Sequence, residues 1–167
     1  MLKHIVLASA LTLVVHSVTF AKEAETPVVY SGTAAAPADA RQAEIAQLFD
    51  RWNAALATGS PDEVTSLYAS NAVLEPTLSN QVRTTPEEIR KYFTGFLKQK
   101  PQAVINYRQI RILDDNVALD TGVYTFNLTR DGKHRQAQAR YTYVYERLNG
   151  EWKIINHHSS AMPESKG

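Results

Sequence analysis

Hydrophobic periodicity changes once along this chain, at Pro101, and that change constrains the fold more than any other feature. Before Pro101, apolar residues recur at spacings of three and four, which predicts amphipathic helices. After it, four segments alternate apolar and polar residues and are rich in β-branched and aromatic types, which predicts strands. These segments are 104–113, 117–128, 136–148 and 152–159. Helices that precede an antiparallel sheet indicate an α+β domain.

Three helices are predicted from the residues at their starts. Asp39, Ser60 and Thr85 are residue types that accept a hydrogen bond from the first turn of a helix. A proline follows Ser60 and Thr85 directly, and proline is favoured at the first helical position. Gly59 is expected to end the first helix. A short strand is predicted at residues 72–77, between the second and third helices.

Two dipeptides predict tight hairpins between the later strands. Asp131 with Gly132, and Asn149 with Gly150, each separate two alternating segments, and such pairs adopt the positive φ angles of two-residue turns. The sheet is expected to be an antiparallel meander that curls over three helices to bury both apolar faces. A curled sheet that helices close at one end leaves a pocket at the other.

The first forty residues indicate export. Lys3 precedes an apolar run from Ile5 to Val15, and Ala21 is a residue that signal peptidase prefers. The run is shorter than the about 20 apolar residues of a membrane-spanning helix. We therefore expect a signal peptide at 1–21, a flexible linker at 22–39, one domain at 40–163 and a tail at 164–167. The mature protein is expected to be periplasmic or secreted, with no attachment to the membrane.

Charge and cysteine content narrow the classes of function. Lys and Arg number 18 against 17 Asp and Glu, so the chain lacks the basic excess that typifies nucleic-acid binding. It has no cysteine, which excludes thiolate nucleophiles, iron–sulfur clusters and thiolate zinc sites. The histidines of the mature chain are His134, His157 and His158, and consecutive His157 and His158 are expected on opposite strand faces, so a metal site with three converging ligands is not predicted. The sequence carries no phosphate-binding loop or dinucleotide fingerprint, and no cofactor is predicted.

Several stretches resemble the association (hub) domain of calcium/calmodulin-dependent protein kinase II. The resemblance is greatest to exported, stand-alone bacterial relatives within the nuclear transport factor 2-like superfamily, which also contains SnoaL-like polyketide cyclases. It implies a cone-shaped fold with an internal pocket and self-association into a homodimer or larger ring. A glycine-rich kinase loop is absent from the sequence, so no kinase activity is expected. The stretches are 73–76, Asn80, Val82, Tyr92 with Phe93, and 149–163.

The resemblance also implies positions for pocket residues. In the kinase hub, three arginines on successive strands face the pocket, and by register they correspond here to Val123, Tyr143 and Ser159. None of the three is arginine, so the chain departs from the acid-binding pattern of the family. Arg140 is the candidate that would supply a cation.

The last strand contains the most suggestive polar residues. Side chains alternate along a strand, so His157 and Ser159 are predicted to share a face with Ile155, and His158 to share the other face with Ile154. The family register directs His157 and Ser159 toward the cone. There His157 would act as a general acid or base, since imidazole titrates near neutral pH. The alternative is a hydrogen-bonded histidine with a structural role.

Tyrosines and one carboxylate complete the candidate site. Tyr141, Tyr143 and Tyr145 are predicted to share a strand face, where they would stack a flat ligand or pack the core. Glu75, in an apolar context, would serve as an acid or cap a turn. Tyr68 is assigned to the apolar face of the second helix. The predicted ligand-binding set is Tyr68, Glu75, Arg140, Tyr141, Tyr143, His157 and Ser159.

Three functions fit these features. The first is an exported, self-associating domain that binds a small organic molecule in an aromatic, histidine-lined pocket. The second is a cofactor-independent SnoaL-like isomerase, cyclase or dehydratase that uses His157 with Glu75 or a tyrosine. The third is a purely structural association domain. Whether the protein is an enzyme stays open, because one fold hosts many functions.

Overall fold

The computed structural model describes residues 28–77 and 79–163, so the predicted signal peptide and the 164–167 tail lie outside the described residues. Three helices pack on one face of a five-stranded curved sheet, which confirms the predicted α+β fold. A 3-10 turn, Leu97–Gln99, follows the third helix. In chain order the elements are α1 (Ala40–Thr58), α2 (Pro61–Thr65), β1 (Tyr68–Glu75), α3 (Pro86–Phe96), β2 (Gln102–Ile112), β3 (Val117–Arg130), β4 (Lys133–Leu148) and β5 (Glu151–Ala161).

The three predicted helix starts are confirmed by their hydrogen bonds. Asp39, Ser60 and Thr85 each accept, through a side-chain oxygen, the backbone N–H three residues later. Each bond satisfies a donor that the first turn of a helix leaves free. Gly59 ends α1 with a φ of 72°, the left-handed conformation that glycine adopts without strain.

The sheet has the strand order β1-β5-β4-β3-β2. Strands β2 to β5 form the predicted antiparallel meander, and both predicted hairpins have positive φ at their two central residues. Strand β1 pairs in parallel with β5 at the sheet edge, an arrangement that the sequence patterns did not specify. Through this pairing, the residues just before α3 lie next to the last strand.

The core lies between α1 and the inner face of the sheet, which is the face that carries the helices. The apolar stripe of α1 packs there against three tyrosines of β4, and every member of this group is at most 2% exposed. Burial of such large side chains contributes about 1.5–3 kcal/mol each. The group consists of Ile45, Phe49, Trp52, Leu56, Tyr141, Tyr143 and Tyr145.

Strand β5 contains a bulge that corrects one prediction. Two successive residues of β4 pair with Ile154 and Asn156, so Ile155 is an extra residue. Ile154 therefore shares the inner face with His157 and is 2% exposed, whereas the alternation predicted that Ile155 would lie there. Beyond the bulge the predicted alternation holds, with His157 buried and His158 exposed.

Tyr68 requires a second correction. It is the first residue of β1 and lies opposite Ile154, rather than on the face of α2 where its spacing predicted it. Helix α2 ends at Thr65. Strand β1 consequently begins four residues before the predicted strand at residues 72–77.

Part of the predicted linker contacts the outer face of the sheet, the face opposite the helices. The Gln138 side chain donates to the Tyr30 carbonyl at 2.8 Å, and the Asn106 side chain donates to the Gly32 carbonyl at 2.8 Å. The Ala34 N–H donates to the carbonyl of Ile105 at 2.9 Å. Residues 30–34 therefore form a strap over β2 and β4. The predicted flexible linker does not describe these residues.

Candidate functional site

A cavity of about 600 Å³ lies between α3 and the inner face of the sheet. Residues of β1, β3, β4 and β5 line it on the sheet side. That volume is within the range of small-molecule sites, about 300–1,000 Å³. Four charged residues also line the cavity and are partly or fully exposed, and we call them the rim of the cavity: Arg83, Glu88, Lys91 and Arg135. Its buried lining is apolar apart from a few polar groups, and includes Trp52, Leu74, Phe93, Tyr124, Phe126, Leu128, Ala139, His157 and Ser159.

His157 is the buried histidine of the cavity lining. Its Nδ1 is 2.8 Å from the hydroxyl of Tyr68, and that hydroxyl accepts the Trp52 indole N–H at 3.1 Å. The Tyr143 ring stacks on the imidazole with 4.1 Å between centroids. Nε2 is buried and has no hydrogen-bond partner among the described residues.

The surroundings keep His157 uncharged. Burial, with a smaller contribution from nearby His158, lowers the pKa of His157 to about 3. Desolvation has this effect because it penalises the imidazolium more than the neutral ring. An imidazolium acid at neutral pH, one of the roles left open by the sequence, is therefore not supported by this environment.

Ser159 provides a second polar group on the same wall. The Tyr124 hydroxyl donates to Ser159 Oγ at 2.6 Å, and Thr77 makes a further hydroxyl contact with Ser159. Because His157 and Ser159 are two residues apart beyond the bulge, their side chains emerge about 6.6 Å apart on one face. The cavity lining thus contains two polar side chains, His157 and Ser159, among aromatic ones.

The structure separates the predicted site residues into two groups. His157 and Ser159 line the cavity. Tyr68 and Tyr143 lie behind His157 as its hydrogen-bond and stacking partners. Tyr141 is buried beside Tyr143 and donates its hydroxyl away from the cavity. These tyrosines are buried in the core and are not among the residues that line the cavity.

Glu75 and Arg140 do not face the cavity, contrary to prediction. Leu74 occupies the cavity position on β1, so the next residue, Glu75, points outward, where its carboxylate lies 3.6 Å from Nδ1 of His158. Arg140 is exposed on the outer face, with Nη2 3.5 Å from the Ala161 carbonyl. Val123 also lies on the outer face, because its neighbour Tyr124 lines the cavity.

Sequence reasoning missed a buried ion pair. Asp120 on β3 is 0% exposed, receives the Tyr141 hydroxyl at 2.9 Å, and lies 3.2 Å from Nε of Arg108 on β2. Burial raises the pKa of Asp120 to about 6, and the attraction of Arg108 opposes that rise. Its position in the alternating pattern of β3 was the available signal, since Asp120 shares a face with buried Ala118 and Tyr124.

Neither a metal site nor a membrane-spanning helix is found in the described ranges 28–77 and 79–163. No group of three histidine, cysteine or acidic residues in these ranges is arranged to hold a metal ion. None of the helices in the same ranges has the length and apolar character needed to cross a membrane.

The fold is similar to that of nuclear transport factor 2-like proteins. A Salmonella enterica protein of that superfamily has 16% identity and a TM-score of 0.63, with 74% of this chain and 92% of that chain covered. The association domain of C. elegans calcium/calmodulin-dependent protein kinase II has 20% identity and a TM-score of 0.62, covering 73% of this chain and 96% of that one. Both likenesses concern the fold.

The chain belongs to the calcium/calmodulin dependent protein kinase II association domain family, whose profile matches residues 41–163. A Xanthomonas campestris protein described as such an association domain has 58% identity and a TM-score of 0.82, with 83% of this chain and 100% of that chain covered. No curated protein matches the chain. The family resemblance carried by residues 73–76 and 149–163 is thereby confirmed.

Proposed function

We propose that this protein is an exported, self-associating domain that binds a small organic molecule in the cavity beneath α3. Membership of the association-domain family supports self-association. The pattern of Lys3, the apolar run and Ala21 supports export. The observation that carries the binding function is the cavity itself, about 600 Å³ with a buried, largely apolar lining that includes His157 and Ser159.

Binding is favoured over acid–base catalysis by the placement of the two candidate catalytic residues. His157 lines the cavity, whereas Glu75 points out of it toward His158. A mechanism that pairs His157 with Glu75 needs both groups within hydrogen-bond reach of one substrate, and their placement does not provide this. A purely structural domain is disfavoured too, because a protein interior is normally close-packed and this one contains an open, lined cavity.

Native mass spectrometry of protein purified from its own host tests both parts of this proposal. We expect an assembly of two or more subunits that carries a small molecule. Ala139→Leu extends a side chain into the cavity and should abolish the bound mass, while Arg140→Leu, one residue away on the outer face, should retain it. A monomer would contradict self-association, and equal retention in the two variants would contradict binding in this cavity.

A further inference from the structure

We propose that the cavity accepts an aromatic molecule with an uncharged carbonyl-type oxygen, and that His157 donates a hydrogen bond to that oxygen through Nε2–H. This inference rests on the proposed small-molecule binding and adds the chemical class of the ligand. Three features support it: the direction of the hydrogen-bond chain behind His157, the aromatic lining, and the position of the charged residues at the rim.

The chain of hydrogen bonds fixes the proton on Nε2. An indole N–H donates only, so the Tyr68 oxygen accepts from Trp52 at 3.1 Å. The hydroxyl hydrogen of Tyr68 then has His157 Nδ1, 2.8 Å away, as its acceptor. The reverse arrangement, with Nδ1–H donating to Tyr68, would leave a buried hydroxyl hydrogen unbonded, at a cost of about 1–3 kcal/mol. Nδ1 is therefore the acceptor and Nε2 carries the hydrogen.

Nε2–H is consequently a fixed donor with no partner among the described residues, although His157 is only 4% exposed and lines the cavity. The low pKa of His157, about 3, keeps the ring neutral and preserves this direction of donation at neutral pH. Buried N–H groups are almost always hydrogen-bonded in folded proteins. Nε2 itself is enclosed by its neighbours, so a ligand that enters the cavity and displaces them slightly would satisfy this donor with an acceptor atom.

The lining favours a flat, aromatic ligand body. Five aromatic residues line the cavity: Trp52, Phe93, Phe96, Tyr124 and Phe126. Aromatic pairs in offset or edge-to-face contact gain about 0.5–1.5 kcal/mol beyond the burial of their area. An aromatic ligand would have such partners on more than one side.

In the described part of the chain, His157 forms no hydrogen bond or ion pair with a charged side chain, and the charged lining residues are partly or fully exposed. Arg83 lies over the Tyr92 ring at 4.8 Å, and the Arg135 side chain donates to Gln99. An ionised ligand group beside neutral His157 would lose its hydration without gaining a counter-ion, which is costly in an apolar site. A ketone, aldehyde or quinone oxygen accepts the hydrogen bond without that cost.

Calorimetric titration with three naphthalene probes tests the class of ligand. They are 2-acetylnaphthalene, its near-isostere 2-isopropenylnaphthalene, which lacks the acceptor, and the anion 2-naphthoate. We expect the ketone to bind about 5- to 150-fold more tightly than the alkene, the range for one buried hydrogen bond. His157→Phe should reduce this ratio to about one, and His158→Phe, on the exposed neighbour, should leave it unchanged.

The outcomes separate this inference from the proposed function. Equal affinity for ketone and alkene, or tighter binding of 2-naphthoate, would overturn the ligand class while small-molecule binding stands. Failure of all three probes to bind would overturn the ligand class and count against the proposed function. Histidine nitrogen NMR of the wild-type protein adds a measurement that needs no variant or ligand. A signal for His157 Nδ1–H, or titration of its ring between about pH 5 and about pH 8, would overturn the fixed donor.

Discussion

At the scale of single residues, the burial of His157 couples its ionisation to folding. The pKa of His157 falls from an ordinary 6.5 to about 3 in the folded chain, chiefly because of burial. Below about pH 6.5 the unfolded chain therefore binds a proton that the folded chain does not. The stability associated with this group is present above that pH and is lost as pH falls toward 3.

Comparison of wild type with His157→Gln measures this coupling. The substitution should lower the free energy of unfolding at pH 7, because it disrupts the contacts with Tyr68 and Tyr143. The difference between the two proteins should shrink by about 1.4 kcal/mol per pH unit below pH 6.5. Urea denaturation at several pH values checks it, and contributions from Asp120 are common to both proteins. A difference that does not change with pH would contradict the assignment.

The buried ion pair on β2 and β3 leads to a second residue-scale prediction. Arg108→Met leaves the Asp120 carboxylate, 0% exposed, without its cation, and should cost about 3–5 kcal/mol at neutral pH. Adding Asp120→Leu removes the isolated charge and should restore most of that loss. Arg41→Met breaks an exposed pair with Asp115 and should cost less than about 1 kcal/mol. Chemical denaturation of wild type and these three variants measures the free energies of unfolding. Similar losses of stability for Arg108→Met and Arg41→Met would show that the buried pair contributes no more than the exposed one.

At the scale of elements, a bulge in β2 determines which residue can stand opposite it on β3. The register shifts between Ile105 and Tyr107, and the Tyr107 carbonyl then approaches Gly122 closely. A Cβ atom at Gly122 would lie 1.9 Å from that carbonyl oxygen. Glycine is therefore required here by close backbone approach.

Two alanine substitutions test this requirement with opposite expected signs. Gly122→Ala should destabilise the protein by at least about 1–3 kcal/mol, since backbone must move to admit the methyl group. Gly95→Ala, inside α3 and with open space at the Cβ position, should stabilise it by about 0.5–1 kcal/mol. Thermal unfolding of both variants provides the check. A stabilising effect of Gly122→Ala would show that β2 does not keep this bulge in solution.

Local sequence signals account for most elements but not for their long-range pairing. Asp39, Ser60 and Thr85 identify helix starts because a cap involves only the next turn. The bulge at Ile155 and the parallel pairing of β1 with β5 depend on contacts between distant segments. Strand alternation therefore misplaced Ile154, and helical spacing misplaced Tyr68. For the same reason the sequence identified His157 and Ser159 as inward residues but not the partners that surround them.

At the scale of the whole molecule, the outer face of the sheet carries apolar side chains that no helix covers in the described part of the chain. Leu119 and Val144 are directly opposite each other on β3 and β4 and are only half-buried. Val117 lies on the same face. The strap at residues 30–34 hydrogen-bonds to another part of that face, at Asn106 and Gln138. The uncovered part is therefore the region where we expect a second copy to pack.

Light scattering at micromolar concentration should report a mass clearly above the 18.6 kDa of one full-length chain. Val144→Lys places a charge opposite Leu119 and should shift the protein toward the monomer, because an unpaired ammonium is costly to bury at an interface. Val82→Lys alters an apolar residue that is 49% exposed and lies outside the sheet, and should leave the mass unchanged. A wild-type monomer would contradict self-association. A wild-type oligomer that persists in Val144→Lys would instead place the interface elsewhere on the cone.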